Sequence, residues 1–159
     1  MTNDCTIKKQ NKCSALHGKI YGIAEIVDPE PPLHINCRCE IIPMVSVPAG
    51  YSTKDGENGA DVVLKRSGLL PEYYITEQEA TALGWRWGKS PSKYAPGKML
   101  TCGVYDNNDK HLPDAPGRIW YEADINYYSG KRNKHRILWS NDGLIFVTYD
   151  HYETFYEVI

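Results

Sequence analysis

Five short runs of β-branched and aromatic residues, separated by turn-forming residues, occupy the chain from residue 99 onward. Runs of this composition are typical of β-strands, and the Asn, Asp, Gly and Pro residues between them favour tight connections. The predicted strands are Met99–Tyr105, Arg118–Asp124, Arg136–Trp139, Leu144–Tyr149 and Thr154–Val158. Because each follows the previous one after a short connection, we expect an antiparallel, meandering sheet of five strands.

Two short helices are predicted ahead of these strands. Ala60–Arg66 contains an apolar run and ends near Gly68, a common helix-terminating residue. Thr76-x-x-Glu79 matches a capping box, in which the two residues cap each other's backbone N–H groups. Helices followed by antiparallel strands indicate an α+β fold, with the helices packed on one face of the sheet.

The part of the chain before the helices has a different composition. It holds all of the cysteines except Cys102, for which we expect the role of a small core residue. Residues 48–58 are polar and rich in turn formers, which is typical of a linker. The sequence therefore predicts a Cys-rich module over residues 1–47, a linker over 48–58 and a folded domain over 59–159.

The Cys-rich module contains candidate zinc ligands. His34 and the Cys-x-Cys pair of Cys37 and Cys39 suggest a zinc site, and Cys13 would complete a set of four. The spacing does not match a standard zinc finger. Reduced structural cysteines are therefore the alternative interpretation.

Charge constrains the partners of the chain. The formal net charge is −2, which argues mildly against a nucleic-acid-binding protein. Four cations lie within residues 131–136, however, so this segment is either a solvated basic loop or a positive face of the domain. No apolar run approaches the ~20 residues of a membrane helix, so we expect no membrane contact. No N-terminal segment has the order of a signal peptide, and we expect another component to carry the protein if it leaves a cell.

Metal-free cleavage of RNA is one reaction for which the folded domain contains candidate residues. It needs a base for the ribose 2′-OH proton, an acid for the leaving 5′-oxygen and cations for the phosphate. The domain offers Glu122 on a predicted strand, Arg132 and Arg136 around the basic loop, and His151 before the last strand. Judged by spacing alone, a hydrogen-bonding histidine and a solvated glutamate are the commoner interpretations of such residues.

Several longer sequence motifs follow one another over residues 70–159. They are Leu-Pro-x-Tyr-Tyr-Ile-Thr at 70–76, Ala-Pro-Gly-Lys at 95–98, Gly-Arg-x-Trp-x-Glu-Ala-Asp-Ile-Asn-Tyr at 117–127 and Asp-His-Tyr-x-Thr-Phe at 150–155. In these motifs the chain resembles the microbial guanyl-preferring ribonucleases of the barnase type. The resemblance implies a microbial ribonuclease fold, in which small N-terminal helices pack on a five-stranded antiparallel sheet, and RNA as the substrate.

The same resemblance implies a role for each matching site residue. Glu122 stands at the general base of the family and His151 at its general acid. Arg132 and Arg136 stand at phosphate-binding arginines, and Tyr152 at an aromatic residue that lines the substrate pocket. No cofactor is implied for catalysis, and the expected product is a 2′,3′-cyclic phosphate.

The guanine-recognition loop of the family matches the segment from Tyr105 to Asp109. The expected substrate-binding residues of this loop are therefore Tyr105, Asn107, Asn108 and Asp109. Asp109 stands at a carboxylate that accepts hydrogen bonds from two adjacent N–H groups of guanine. Guanosine is accordingly the base that the resemblance favours.

Two departures from the family pattern concern cations. The catalytic lysine of the family falls on Glu77, and the arginine of the guanine loop falls on Asn108. A carboxylate in place of a cation beside the phosphate weakens transition-state stabilisation. We therefore expect reduced activity or altered base preference unless another cation compensates, and the candidates are Lys98, Lys131 and Arg86.

The Cys-rich module carries a second resemblance. Cys-Ser-Ala-Leu-His-Gly-Lys-Ile-Tyr at 13–21 and Pro-Pro-Leu-His-Ile-Asn-Cys-Arg-Cys at 31–39 resemble the C-terminal end of phage Mu F-like minor head proteins, although their Cys-x-x-Cys word is altered here. A head-protein tail joined to a ribonuclease is typical of a polymorphic toxin. The combination implies a virion-associated or delivered effector that acts in the cytoplasm of a target bacterium. Its implied partners are a phage capsid or delivery protein and an acidic, barstar-like inhibitor.

Three functions remain open on the sequence. The first is an endoribonuclease toxin domain. The second is a catalytically weakened RNA- or partner-binding domain of a phage structural protein, which Glu77 and Asn108 favour. The third is a zinc-dependent DNA-binding protein, which the near-neutral charge and the lack of a basic recognition helix disfavour.

Overall fold

The computed structural model describes Glu30, Cys37 and residues 45–159. The chain divides into two compact units. The first consists of Met1–Pro43 and Leu112–Gly117, and the second of Met44–His111 and Arg118–Ile159. The second unit contains every residue that the sequence predicts to be catalytic or substrate-binding.

The predicted Cys-rich module falls mainly on the first unit. Three of its four candidate zinc ligands, Cys13, His34 and Cys39, lie outside the described residues, whereas Cys37 is described and half-buried. The zinc site therefore stays a prediction.

A seven-stranded mixed sheet forms the body of the second unit. Its strands are β1 (Ser46–Val47), β2 (Tyr74–Thr76), β3 (Met99–Tyr105), β4 (Trp120–Asp124), β5 (Arg136–Ser140), β6 (Ile145–Thr148) and β7 (Tyr156–Val158). They lie side by side in the order β1-β7-β6-β5-β4-β3-β2. From β3 to β7 all neighbours pair antiparallel, so the five predicted strands are present.

The prediction of a sheet limited to five antiparallel strands is wrong, because a short parallel strand extends it at each edge. β1 pairs with β7 and β2 with β3. The backbone N–H of Ile159 donates to the Val47 carbonyl at 3.0 Å, and that of Met99 to the Tyr73 carbonyl at 3.0 Å. With two and three residues, β1 and β2 are too short to show the alternation from which strands are predicted.

Two α-helices, α1 (Ala60–Ser67) and α2 (Glu77–Ala82), lie in the described part of the chain, with 3-10 turns at Gly56–Asn58 and Pro91–Lys93. α1 ends at Gly68, whose φ of 72° is the left-handed conformation that glycine adopts without strain. The predicted capping box of α2 is confirmed by hydrogen bonds between Thr76 and Glu79. No helix among these residues is long and apolar enough to cross a membrane.

The main core lies between α1 and one face of the sheet. Alternate residues of a strand face opposite sides, and Ala123, Ile137 and Val147 bring three neighbouring strands together on the α1 side. Leu64 of α1 is buried against them. Burying a side chain of that size contributes about 1.5–3 kcal/mol. The neighbouring positions of β4 and β5 point to the opposite face of the sheet.

Residues 48–58, predicted to be a linker, include three residues, Gly50, Ser52 and Thr53, that hydrogen-bond to Asp61. The buried carboxylate of Asp61 accepts hydrogen bonds from the backbone N–H groups of Gly50 and Ser52 at 2.8 and 3.2 Å. It also accepts from the hydroxyl groups of Ser52 and Thr53. The polar composition that resembles a linker therefore supplies donors to one buried acceptor.

Two further observations show how tightly this attachment is built. A Cβ atom at Gly59 would clash with Thr53 Oγ1, Asp61 Oδ1 and the backbone oxygen of Gly56, so only glycine fits there. Burial alone raises the pKa of Asp61, but the hydrogen bonds from Ser52, Gly50 and Thr53 outweigh it and leave the pKa below its usual value. Asp61 is thus held in its ionised form.

We expect Asp61→Ala to lower the free energy of unfolding at pH 7 by about 3 kcal/mol or more, because hydrogen bonds to a charged group contribute about 1.5–3 kcal/mol each. Urea denaturation measures this. The lowered pKa means that the contribution of Asp61 is present above the usual carboxyl range and lost as the pH falls through the folded-state pKa. Glu57→Ala is the control, since the Glu57–Arg66 ion pair is exposed and contributes at most about 1 kcal/mol. Equal losses in both variants would contradict the role of Asp61.

Candidate active site

A cluster of charged side chains occupies the face of the sheet opposite α1. Glu122 and Asp124 are two residues apart on β4 and so point to the same side, and β5 places Arg136 directly opposite Asp124. The Arg136 Nε atom lies 3.1 Å from Asp124 Oδ1 and 3.4 Å from Glu122 Oε1. Arg136 Nη1 donates to the carbonyl groups of Asn133 and His135. Arg136 is therefore a fixed cation between two carboxylates.

Glu122 is almost buried and has a second fixed partner. Its side chain is 12% exposed, and the Tyr152 hydroxyl donates to its Oε1 atom at 2.6 Å. Burial and the neighbouring Glu122 carboxylate raise the pKa of Tyr152 well above its ordinary value, so the phenol stays a neutral donor. Glu122 thus has a set orientation and one oxygen that these contacts do not use.

His151 lies in a strained turn before β7. Its side chain is exposed, and its imidazole centroid lies 4.7 Å from the ring of Tyr152. Both residues have positive φ angles, 70° and 72°, which non-glycine residues rarely adopt. Asp150 holds the turn by accepting backbone hydrogen bonds from Glu153 and Thr154. The bond from Thr154, with smaller contributions, lowers the pKa of Asp150 to about 2. Tyr152 therefore contacts both His151 and Glu122.

Arg132 is held by three acceptors. Its Nε atom donates to both oxygens of Asp124 at 2.7 and 3.0 Å, and its Nη2 atom donates to Cys102 Sγ at 2.7 Å. Its Nη1 atom lies 3.8 Å from Glu77 Oε1. Burial lowers the pKa of Arg132, but Asp124 outweighs it, so the pKa is raised and the guanidinium is charged.

Glu77 lies beside Arg132, on the side of its Nη1 atom. Burial raises the pKa of Glu77; Arg132 and Cys102 lower it, while Asp124 and Glu122 raise it further, and the net shift is upward. The position at which the resemblance implies a lysine thus holds a carboxylate that is in contact with one of the two arginines. In this cluster three carboxylates, those of Glu77, Glu122 and Asp124, face the two arginines.

The predicted guanine loop begins beside Tyr152. The ring of Tyr105 stacks on that of Tyr152, with centroids 5.5 Å apart and planes inclined by 27°. Beyond it, the Asn107 carbonyl accepts a backbone hydrogen bond that closes a turn, and Asn108 and Asp109 are exposed. The structure brings Tyr105 and Tyr152 together, whereas Asn108 and Asp109 are exposed and Asn107 is partly buried.

Lys98, Arg86 and Lys131 are the cations that could compensate for a lysine at position 77, and they differ in their contacts. Lys98 Nζ donates to the carbonyl of Glu72 at 2.8 Å, and Arg86 Nη1 to the carbonyl of Trp85 at 3.1 Å. Lys131 is exposed. Lys98 and Arg86 are therefore engaged with backbone oxygens in this structure.

Sequence reasoning missed the place of Cys102. The sequence favours a core position, but Cys102 is half-buried and contacts Arg132. The register of β3 against β4 shifts between Thr101 and Gly103, and such a bulge redirects the side chain within it. Burial raises the pKa of the Cys102 thiol to about 12, so it is a neutral neighbour of the arginine. A glycine inside a predicted strand is the only signal of the bulge.

No cluster of three or more His, Cys, Asp or Glu side chains that could hold a metal ion is found among residues 45–159, Glu30 and Cys37. The charged cluster on β4 and β5 has its carboxylates paired with arginines. Glu122, His151 and the two arginines are groups of the types that can act as a base, an acid and fixed cations.

Comparison with known proteins gives one consistent result. Residues 58–159 match the model of the ribonuclease family. The chain is 48% identical to a ribonuclease of Heyndrickxia coagulans over 99 residues, which cover 62% of this chain and 91% of that protein. It is also 48% identical over 99 residues to ribonucleases of Bacillus intermedius and Bacillus pumilus, spanning 61% of the length of each.

We expect Glu77→Gln to raise the free energy of unfolding at pH 7, because burial disfavours the ionised carboxyl. A raised pKa contributes stability that is present below the ordinary value of 4.5 and lost as the pH rises through the folded-state pKa. The gain in the free energy of unfolding from Glu77→Gln should therefore shrink at acidic pH. Urea denaturation at pH 7 and at acidic pH measures this difference. Glu79→Gln is a control of opposite sign, since hydrogen bonds from Thr76 lower the pKa of Glu79. Identical pH dependence in both variants would contradict this account of Glu77.

Proposed function

This chain belongs to the ribonuclease family, and from that membership we propose that its second unit is a metal-independent endoribonuclease for single-stranded RNA. The observation that supports the proposal most directly is the pairing of a nearly buried, oriented carboxylate with an exposed histidine, since both Glu122 and His151 contact Tyr152. A base and an acid held near one another are what cleavage through the ribose 2′-OH requires.

In the proposed reaction, Glu122 takes the proton of the 2′-OH while the 2′-oxygen bonds to phosphorus. His151 gives a proton to the 5′-oxygen as its bond to phosphorus breaks. The products are a 2′,3′-cyclic phosphate and a free 5′-hydroxyl group. Arg132 and Arg136 counter the charge on the phosphate, and the buried Asp124 keeps both guanidinium groups in position.

We also propose guanosine as the preferred nucleoside before the cleaved bond. The stacked rings of Tyr105 and Tyr152 offer an aromatic surface on which a base can pack. Asp109 offers a carboxylate that can accept hydrogen bonds from two N–H groups of guanine. Asn108 carries no charge, so this loop has one cation fewer than the family pattern.

The biological role that we propose is that of a polymorphic toxin domain. It rests on the likeness of residues 13–39 to a phage head-protein tail. Such an effector would reach the cytoplasm of a target bacterium with a phage capsid or delivery protein. An acidic, barstar-like inhibitor would protect the producing cell by covering the site around Arg132 and Arg136. The exposed Lys131 and Lys134 beside these arginines offer it complementary charge, which speeds and orients association.

One observation favours a second candidate, a weakened RNA- or partner-binding domain of a phage structural protein. Glu77 is a carboxylate 3.8 Å from Arg132, on the edge where a phosphate would bind. Like charges in so short a range oppose phosphate binding and its transition state. The two candidates differ in whether RNA is cut or only bound.

We expect the full chain to cleave a single-guanosine RNA in EDTA and to leave a cyclic phosphate, identified by mass spectrometry. Glu122→Gln and His151→Ala should each lower kcat by roughly 10²–10⁴-fold, the usual contribution of a general base or acid. Glu57→Gln, which removes an exposed carboxylate outside the cleft, should leave kcat unchanged. Cleavage that stops in EDTA, or that persists in both active-site variants, would overturn the mechanism.

We expect Glu77→Lys to raise kcat/KM by roughly 10²-fold, taking the loss of one transition-state donor as a guide. The reason is that a carboxylate beside the phosphate becomes a cation. Glu57→Lys makes the same change of charge at an exposed turn and is the control for long-range attraction. An inactive natural chain that becomes active with Glu77→Lys would support the second candidate. No change in either variant would mean that Glu77 does not affect the phosphate.

A further inference from the structure

Trp87 is a large apolar side chain exposed at the rim of the charged cluster. It is 71% exposed, although tryptophan is usually well buried. Its ring centroid lies 5.3 Å from the Arg132 Cζ atom, which is within the range of a cation–π contact. The guanidinium that we propose to hold the phosphate thus carries an exposed indole on its flank.

The loop around Trp87 is built to hold it there. Trp85 is 1% exposed, and its indole N–H donates to the carbonyl of Lys89 at 2.8 Å, which closes the loop on a buried anchor. The rings of Trp85 and Trp87 lie 5.5 Å apart. Gly88 has a φ of 80°, a conformation that turns the chain sharply after Trp87. The exposed ring is therefore supported from below by a buried one.

A second set of hydrogen bonds joins this loop to the segment that carries Arg132. The Ser90 hydroxyl bonds to the Gly130 carbonyl, and the backbone N–H of Ser92 donates to the Tyr127 hydroxyl at 3.2 Å. The same tyrosine hydroxyl also donates to the Gly130 carbonyl. Trp87 and Arg132 are thus presented by two loops that are tied together.

An aromatic face beside a fixed cation is the arrangement by which proteins bind unpaired nucleic-acid strands. The cation attracts the backbone phosphate, and the base next to that phosphate stacks on the ring. Tyr105 and Tyr152 form a separate aromatic pair beside Glu122. Aromatic side chains therefore contact the charged cluster at two places, Trp87 at Arg132 and Tyr152 at Glu122.

Resting on the proposed ribonuclease function, we propose that Trp87 forms a second base-binding subsite, which stacks the unpaired base of a nucleotide next to the one held at Tyr105. Stacking does not depend on hydrogen-bond pattern, so the subsite accepts every base and favours purines for their larger ring surface. It selects single-stranded over double-stranded RNA, because a base in a duplex cannot leave its stack without cost.

Kinetics on RNA with and without a base at the stacking position test this subsite. In the full chain, Trp87→Ala should lower kcat/KM on a longer single-stranded RNA roughly tenfold or more, and Trp87→Phe should restore most of the loss. An abasic nucleotide beside the guanosine should cause a similar loss in the natural chain and no further loss in Trp87→Ala. Tyr51→Ala, which removes another exposed ring, should act like the natural chain.

The abasic comparison separates stacking from support of Arg132. If Trp87 only braces the arginine, the losses from Trp87→Ala and from the abasic nucleotide will add, and the subsite is overturned. Binding of the same two RNAs to His151→Ala, followed by tryptophan fluorescence, gives the answer without catalysis. Base-dependent quenching that Trp87→Phe reduces supports stacking even if the natural chain proves inactive. Equal quenching by intact and abasic RNA overturns the proposal whether or not RNA is cleaved.

Discussion

The buried carboxylate of Asp124 fixes both arginines of the site. It is fully buried, accepts two hydrogen bonds from Arg132 Nε and lies 3.1 Å from Arg136 Nε. Breaking a buried ion pair by removing one partner typically costs 3–5 kcal/mol, because the remaining charge is left uncompensated. Arg136 in turn orients Glu122, whose other partner is Tyr152. Both arginines contact this single acid on a central strand directly, and Glu122 and Tyr152 are connected to it through Arg136.

The sequence predicts those parts of the fold that rest on periodicity and local capping. The five central strands, the two helices and the Thr76–Glu79 capping box all follow from patterns within a few residues. The alternation of side chains along β4 is also sufficient to place Glu122 and Asp124 on one face of the sheet. The prediction that fails, a sheet limited to five strands, depends on distant partners. β1 and β2 exist because β7 and β3 offer them edges.

Site residues are predictable where they lie within a sequence motif shared with the family. Contacts between residues from separate loops are not. Cys102 reaches Arg132 because of a bulge that the strand pattern does not reveal. Trp87 reaches the same arginine because two loops are joined by hydrogen bonds between residues far apart in the chain. Contacts of this kind have no periodicity, so only a three-dimensional structure can supply them.

These unpredicted neighbours converge on Arg132 and change what it can do. Its Nε is committed to Asp124, its Nη2 to Cys102, and its Nη1 faces Glu77, while Trp87 covers its flank. In the proposed reaction, a phosphate that approaches Nη1 would meet the Glu77 carboxylate, whose pKa burial already raises. Two anions beside one cation repel each other, and proton uptake by Glu77 would relieve that repulsion. The proposal therefore links phosphate binding to protonation of Glu77, and acid would favour the phosphate-bound state more than it would with a lysine at that position.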